Sequence, residues 1–396
     1  MTAAGQPDLV YLDYAASTPL DDAVLECMLE VHSSPAGAAN ASSTHAAGRF
    51  AAGLAEVARR QVADLIGAEP GNLVWTSGAT ESDNLAIAGA ARFRSHRGRH
   101  LISMPTEHKA VCDVFAALER EGFEVSWLSP GSDGLLDIGE LEKAIRPDTQ
   151  LVSVMHVNNE TGVVQDIQAI GEVCRARDVL YHCDAAQSVG KLEIDLASMP
   201  IDLLSLTGHK FYGPQGAGAL YIADRPGCQV FPLFHGGGQE RKIRPGTLAV
   251  HIIAGLGMAA EVAASRMQDD LRHVSMLRQR LWESIASLPG ITLNGSEESG
   301  YPGILNISAD GVSGESLMLG LEPLCVASGS ACNSKSSEAS YVLRALGRDD
   351  LQAQSAVRFS FGRDSTPDDV DFAAQRYISA VTELRALAPE EDRAAE

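Results

Sequence analysis

Positive charge is scarce in this chain: 31 Lys and Arg stand against 52 Asp and Glu, a formal net charge of −21 at pH 7. Sustained binding to nucleic acid needs a basic face, and no Lys/Arg run supplies one, so direct nucleic-acid binding is not expected. No apolar stretch approaches the length of a membrane span. The opening Met1-Thr2-Ala3-Ala4-Gly5-Gln6-Pro7-Asp8 has neither the basic region nor the apolar core of a secretory signal, so the expectation is a cytoplasmic protein without a membrane anchor. Paired cysteines are missing too. The seven, at positions 27, 112, 174, 183, 228, 325 and 332, form no CxxC, and their odd number and wide spacing argue against a disulfide framework or a structural zinc site. Most read as small buried hydrophobes; Cys332 is set apart below. There is no internal repeat and no low-complexity linker.

What is present is an ordinary globular composition, 45% hydrophobic and 21% charged. At 396 residues the chain suits one large α/β unit and a smaller companion. Strand-like apolar runs fall at Leu73–Thr76, Leu101–Met104, Val125–Leu128, Leu151–Val157, Val179–Asp184, Leu203–Thr207 and Ala219–Ile222. Helix-period segments such as Val111–Glu121 and Ile167–Arg177 lie between them. Such alternation predicts an α/β fold with a mostly parallel central sheet, whose ligands sit at the C-terminal strand ends. From about residue 265 the texture changes to an amphipathic stretch (Met267–Leu288), short strands at Ile304–Ser308 and Val357–Phe361, and a last helix near Pro367–Leu387. The expected division is a large domain over 18–264 and a smaller α+β domain built from 1–17 and 265–396.

The chemistry concentrates at those strand ends. Leu203-Leu204-Ser205-Leu206-Thr207-Gly208-His209-Lys210 closes an apolar run on a lysine and continues into Gly213, Gly216 and Gly218. Glycines there let the backbone turn and approach a flat ligand. A desolvated lysine amine loses its proton readily and can trap a carbonyl as a Schiff base; alone, it would read as a surface lysine after a strand. Thr76-Ser77-Gly78-Ala79-Thr80-Glu81-Ser82 sets small residues at a helix N-terminus, an anion site or an ordinary cap. Asp184 ends a hydrophobic strand, where a buried carboxylate requires a partner. A protonated pyridine nitrogen would serve, and so would a helix cap or a salt bridge. His108 could stack on an aromatic cofactor, shuttle protons as a catalytic group, or be structural. Asn159, in Asn158-Asn159-Glu160-Thr161-Gly162, could bond a ring hydroxyl or simply make a turn. Arg358, inside the run read as a strand over Val357–Phe361, could clamp an α-carboxylate or bridge the two domains. Together these form the parts list for pyridoxal 5'-phosphate. A second signal is Ser328-Gly329-Ser330-Ala331-Cys332-Asn333-Ser334-Lys335. A thiol among small polar residues reads as an exposed loop nucleophile.

These residues, in this order, closely resemble the cysteine desulfurases, specifically the housekeeping bacterial group within the class V aminotransferase family. The resemblance runs from Tyr11-Leu12-Asp13-Tyr14 to about Leu387 and is densest at 76–86, 107–111, 156–167, 184–191, 208–218, 235–250 and 328–347. It implies a homodimeric transferase of fold type I that converts L-cysteine to L-alanine and holds the sulfur as a persulfide. By matched position it implies that Lys210 forms the Schiff base with the cofactor, His108 stacks on the ring and Asp184 pairs with the ring nitrogen. Asn159 and Gln187 match partners of the ring hydroxyl, and Asn159 also matches a substrate contact. Ala79, Thr80, Thr207 and His209 match phosphate positions, and Thr247 matches a phosphate contact made across the dimer. Cys332 matches the persulfide-bearing nucleophile and Arg358 the substrate-carboxylate clamp.

Some positions depart from the family pattern. Thr207 stands where serine is commoner, and both hydroxyls can serve a phosphate. Asn333-Ser334-Lys335 replaces a more usual Thr-Ser-Ala, adding a charge expected to favour a Cys332 thiolate. Cys183 replaces a commoner aliphatic residue. Housekeeping members usually continue into an aromatic-containing tail that docks the iron–sulfur scaffold, whereas this sequence closes in Ala388-Pro389-Glu390-Glu391-Asp392. The sulfur acceptor is therefore left open among an iron–sulfur scaffold, a tRNA-thiolation relay and a DNA-phosphorothioation system. Rival readings are a class V aminotransferase, which has no need of Cys332, a selenocysteine lyase, and a noncatalytic sulfur-pathway scaffold. Retention of Lys210, Asp184, His108 and Cys332 together argues against the scaffold.

Overall fold

The computed structural model describes residues 9–328 and 339–387. Strand β1 (Val10–Tyr11) precedes a seven-stranded sheet built from β2 (Leu73–Thr76), β3 (His100–Ser103), β4 (Glu124–Trp127), β5 (Thr149–Ser153), β6 (Leu180–Asp184), β7 (Leu203–Thr207) and β8 (Gly218–Ile222). Their spatial order is β2-β8-β7-β6-β5-β3-β4. Only β8 runs against its neighbours; the other six point one way. β2, β3, β5, β6 and β7 are buried along their whole length, which is why they read as mostly apolar runs rather than alternating ones, with buried polar residues such as His100, Gln150, His182 and Ser205 among them. β4, at the edge, exposes Glu124 and Trp127.

The sheet is covered by helices, among them α1 (Asp22–Ser33), α2 (Ala46–Leu65), α3 (Ala79–Arg94), α4 (Lys109–Arg120), α5 (Ile138–Ala144), α6 (Ile167–Ala176) and the long α7 (Val250–Ile285). Their starts are locally encoded. Asp137 and Asp166 accept from backbone N–H groups in the first turns of α5 and α6. His108 does the same for α4, its Nδ1 accepting from Ala110 N at 3.2 Å.

A second, four-stranded antiparallel sheet follows, with β9 (Ile291–Leu293), β10 (Ile304–Ala309), β12 (Ala327–Ser328) and β13 (Val357–Ser360) in the order β12-β13-β10-β9. β11 (Leu324–Cys325) pairs in parallel with β1, and Asp13 bridges to Ser360. The last helix, α8 (Pro367–Leu387), packs Tyr377 against Phe359 of β13. Two main apolar clusters result. One surrounds the large sheet; the other joins Leu12, Leu305, Phe359 and Tyr377.

The structure differs from the sequence reading in two instructive places. The apolar run read as a strand over Leu151–Val157 is regular strand only to Ser153; beyond it Val154 N and His156 N still donate to His182 O and Asp184 O of β6, while Met155 and Val157 line a cavity. The amphipathic stretch from Met267 is the second half of α7, whose first half is buried on several faces at Ile253, Ala254, Gly255 and Leu256 and so shows no single stripe. The position 264/265 thus falls inside one continuous helix. Cys174, Cys183 and Cys228 are buried, while Cys27, Cys112 and Cys325 are partly so; all six are free thiols.

Candidate active site

Five strand ends converge on a cavity of about 560 Å³. The turn after β2 supplies Ser77, Gly78, Ala79 and Thr80; the loop after β3 supplies His108; the loop after β5 supplies Met155, Val157 and Asn159. Asp184 and Gln187 come from the end of β6, and Thr207, His209 and Lys210 from the end of β7. Arg358 reaches the same cavity from β13, and Ala15, Ala16 and Ser17 close it from the N-terminal segment.

The turn between β2 and α3 needs its glycine. Gly78 has φ +147, a conformation that side chains disfavour. Ser77 N donates to Glu81 Oε2 at 2.8 Å, fastening the turn and helping to hold that carboxyl below its usual range. Arg244, bonded to Glu81 at 2.7 Å, lowers it more, and the two together outweigh the opposing effect of burial. The first N–H groups of α3 make this an anion cradle.

Lys210 donates to the carbonyls of Ala15 at 2.5 Å and Ala16 at 2.8 Å. His209 is anchored from the same segment, its carbonyl accepting from Thr18 N at 2.9 Å and Thr18 Oγ1 at 3.1 Å. Burial, with the nearby charges of Lys210 and Lys191, pushes the His209 imidazole down to about 4, so it is neutral at physiological pH. Burial also lowers His108, partly offset by Asp184. With its Nδ1 serving as acceptor in the helix cap, its neutral form carries the proton on Nε2.

Asp184 is 5% exposed and, among the described residues, accepts one bond, from Ala186 N at 2.9 Å. Burial raises its proton affinity despite that bond and the charges of His108 and Lys210. Such a carboxylate calls for a further cationic or donor partner. Two other polar atoms are unspent: Asn159 Oδ1 and Arg358 Nε are buried without a hydrogen-bond partner among the described residues. The remaining guanidinium nitrogens of Arg358 are committed, Nη1 to Asn159 O at 2.7 Å and Nη2 to Asp13 Oδ1 at 2.6 Å. Arg358 therefore forms an ion pair with the N-terminal segment while still lining the cavity. An anion cradle, a buried acid awaiting a cation, a lysine amine and unspent donor and acceptor atoms suit a phosphorylated, nitrogen-containing ring.

Ala79, Thr80, His108, Asn159, Asp184, Gln187, Thr207, His209, Lys210 and Arg358 all meet at this cavity. Thr247 does not. It is exposed, on the loop that Arg244 ties to Glu81. Cys332 and Lys335 lie outside the described residues. Asp13 and Lys191 were not singled out as site residues from the sequence; Asp13, an acid between Leu12 and Tyr14, carried the available signal as a charge flanked by core residues.

A model of the Aminotransferase class-V family matches residues 10–372. Cysteine desulfurase IscS of Cronobacter sakazakii is 52% identical over 381 residues, spanning 96% of this chain and 94% of that protein. Among solved structures, a NifS-like protein superposes with a TM-score of 0.88 at 34% identity, covering 95% of this chain and 100% of that one. SspA in complex with cysteine is similar with a TM-score of 0.79 at 38% identity, over 90% of this chain and 99% of that one.

Proposed function

The chain belongs to the class-V aminotransferase family, and from that premise we propose that it is a pyridoxal-phosphate-dependent cysteine desulfurase. Its overall reaction is L-cysteine plus an enzyme thiol giving L-alanine plus an enzyme persulfide. The observation that carries this reading is the meeting of the Lys210 amine, the buried Asp184 carboxyl and the Arg358 guanidinium in one cavity.

Pyridoxal phosphate, when bound, supplies a carbonyl for amine capture and a ring that stores the electron pair released at the substrate α-carbon. The residues suited to hold it are Ala79, Thr80, Thr207 and His209 at the phosphate, Asp184 at the ring nitrogen, Asn159 and Gln187 at the ring hydroxyl, and neutral His108 against the ring face. Thr247 is proposed to reach the phosphate of a second subunit in a homodimer.

The chain's own groups divide the work. Arg358 orients L-cysteine by its α-carboxylate, and its uncommitted Nε is available for that contact. Asn159, whose carbonyl already holds Arg358, lies beside the same contact. Lys210 takes the substrate α-proton and returns a proton as product forms. The Ala15 and Ala16 carbonyls hold its Nζ beside the cavity until it is needed. Cys332 as thiolate attacks the substrate sulfur; the C–S bond breaks, the carbon end gains a proton to become alanine, and the sulfur stays on Cys332. We take 18–264 as the cofactor domain and 1–17 with 265–396 as the domain carrying Cys332. Cytoplasmic location and sulfur delivery to an acceptor protein, for iron–sulfur assembly, tRNA thiolation or DNA phosphorothioation, belong to the same proposal. Among the described residues no helix is long and apolar enough to cross a membrane.

The test incubates the cofactor-loaded protein with L-cysteine and reductant and measures alanine and sulfide, with Cys332→Ser in parallel. The proposal expects alanine from the parent and a near-complete loss in the variant, with cofactor colour retained. Amino-group transfer to a keto acid without sulfide would identify an aminotransferase, and activity confined to selenocysteine would identify a lyase.

A further inference from the structure

Lys191 stands four residues beyond Gln187, after a turn at Gly190. That glycine has φ +75, and a Cβ there would lie 2.8 Å from Phe211 Cβ, so the chain turns at a point where only glycine fits. The turn brings Lys191 Nζ to 3.0 Å from Gln187 Oε1. The other end of the same amide, Nε2, donates to the Ala15 carbonyl at 2.7 Å. That carbonyl also accepts from Lys210, which uses both of its lone pairs.

An ammonium can only donate and a carbonyl can only accept, so this arrangement admits one orientation of the Gln187 amide. Its carbonyl faces Lys191, one N–H is spent on Ala15, and the second N–H is left for the cavity that Gln187 lines. We infer that Lys191 is a positioning residue of this site, holding Gln187 so that it offers an N–H rather than a carbonyl to the cofactor. The inference rests on the cofactor reading above. Burial and the repulsion of Lys210 and Arg358 push the Lys191 amine down to about 7. The donation does not depend on that charge, because a neutral amine keeps two N–H groups to offer Gln187 Oε1. Among the described residues the charged and titratable neighbours of Lys191 include Lys210, His209 and Arg358, with the Tyr301 ring 5.7 Å away, and Tyr14, Tyr212, Asp270 and Arg363 line the same small pocket.

The experiment follows the visible absorption of cofactor-loaded protein against pH, together with kcat and KM for L-cysteine, in the parent, Lys191→Met and Lys191→Arg. A coloured parent that makes alanine establishes the underlying reading; a colourless parent defeats that reading and not this inference alone. With the parent coloured, Lys191→Met is expected to raise the midpoint of the colour change by about half a pH unit or more, since Gln187, its carbonyl no longer held by Lys191, donates less firmly to the ring oxygen. Its kcat should fall about fivefold, as for one lost hydrogen bond, with KM within about twofold. Lys191→Arg, which still donates, should return both values towards the parent. Lys191→Ala, losing the same donor, stands in if the Met variant does not fold. A parental titration curve in the Met or Ala variant, or an Arg variant displaced as far as Met, would overturn the inference.

Discussion

Arg358 Nη2 lies 2.6 Å from Asp13 Oδ1, joining a strand of the second sheet to a segment 345 residues away in sequence. The arginine is 3% exposed and is held on its other side by the Asn159 carbonyl. Its direction into the cavity is thus fixed before substrate arrives, and the planar fork is what makes the fixing possible.

Replacing Arg358 by Gln should raise KM for L-cysteine about tenfold or more while lowering kcat less, because the lost contact is to the unreacting carboxylate. Asp13→Asn keeps an acceptor for Nη2 and should raise KM only about threefold. Steady-state kinetics with saturating cofactor checks both. An Arg358→Gln enzyme with parental KM would remove this residue from substrate binding.

Lys210→Ala should remove the lysine-linked absorption band and lower alanine formation by at least about a thousandfold, the usual scale for a positioned proton-transfer group together with its covalent role. Spectra of the purified protein and an amino-acid assay read the two effects separately.

Gly218→Ala probes the cradle from behind. A Cβ at this position would sit 2.5 Å from the Leu206 carbonyl oxygen and 2.6 Å from Gly78 Cα, both backbone atoms that cannot move cheaply. The variant should unfold at lower denaturant, by about 1–3 kcal/mol, and bind cofactor more weakly because Gly78 is displaced. Denaturant titration of the apo protein and cofactor titration provide the check.

Glu160 is 3% exposed and accepts from Ser340 Oγ at 2.5 Å. Burial pushes its carboxyl up to about 7 against the smaller opposing effects of Ser340 and Arg358. The folded protein therefore binds this proton more tightly than the unfolded chain. Its contribution to stability is full below about pH 4.5 and is lost as pH rises to about 7, by at most about 3 kcal/mol. Glu160→Gln should flatten that part of the stability profile, measured by denaturant unfolding at pH 5 and pH 7.5. A parental slope in the variant would assign the pH dependence elsewhere.

Much of this was legible because buried parallel strands are mostly apolar and the polar residues of a site gather at their C-terminal ends. β2 and β7 fall at the bounds read from their residues; Asp184 ends β6 and Thr207 ends β7, with Lys210 just beyond it. Less visible was anything depending on distant pairing. β1 and β11 are two-residue strands with no periodicity of their own, formed because Leu12 is drawn into the second core. The roles of Asp13 and Lys191 were hidden for the same reason, although Asp13 stood out as a charge between core residues. Each takes its role from a partner, Arg358 or Gln187, whose meeting with it depends on the folded turn or strand pair.

The most direct test is a mass measurement on the cofactor-loaded protein after a single addition of L-cysteine without reductant. The account predicts one added sulfur atom on the peptide containing Cys332 and one equivalent of L-alanine released, both absent in Lys210→Ala. Alanine released while Cys332 gains no sulfur, or sulfur gained by the Lys210→Ala protein, would contradict it.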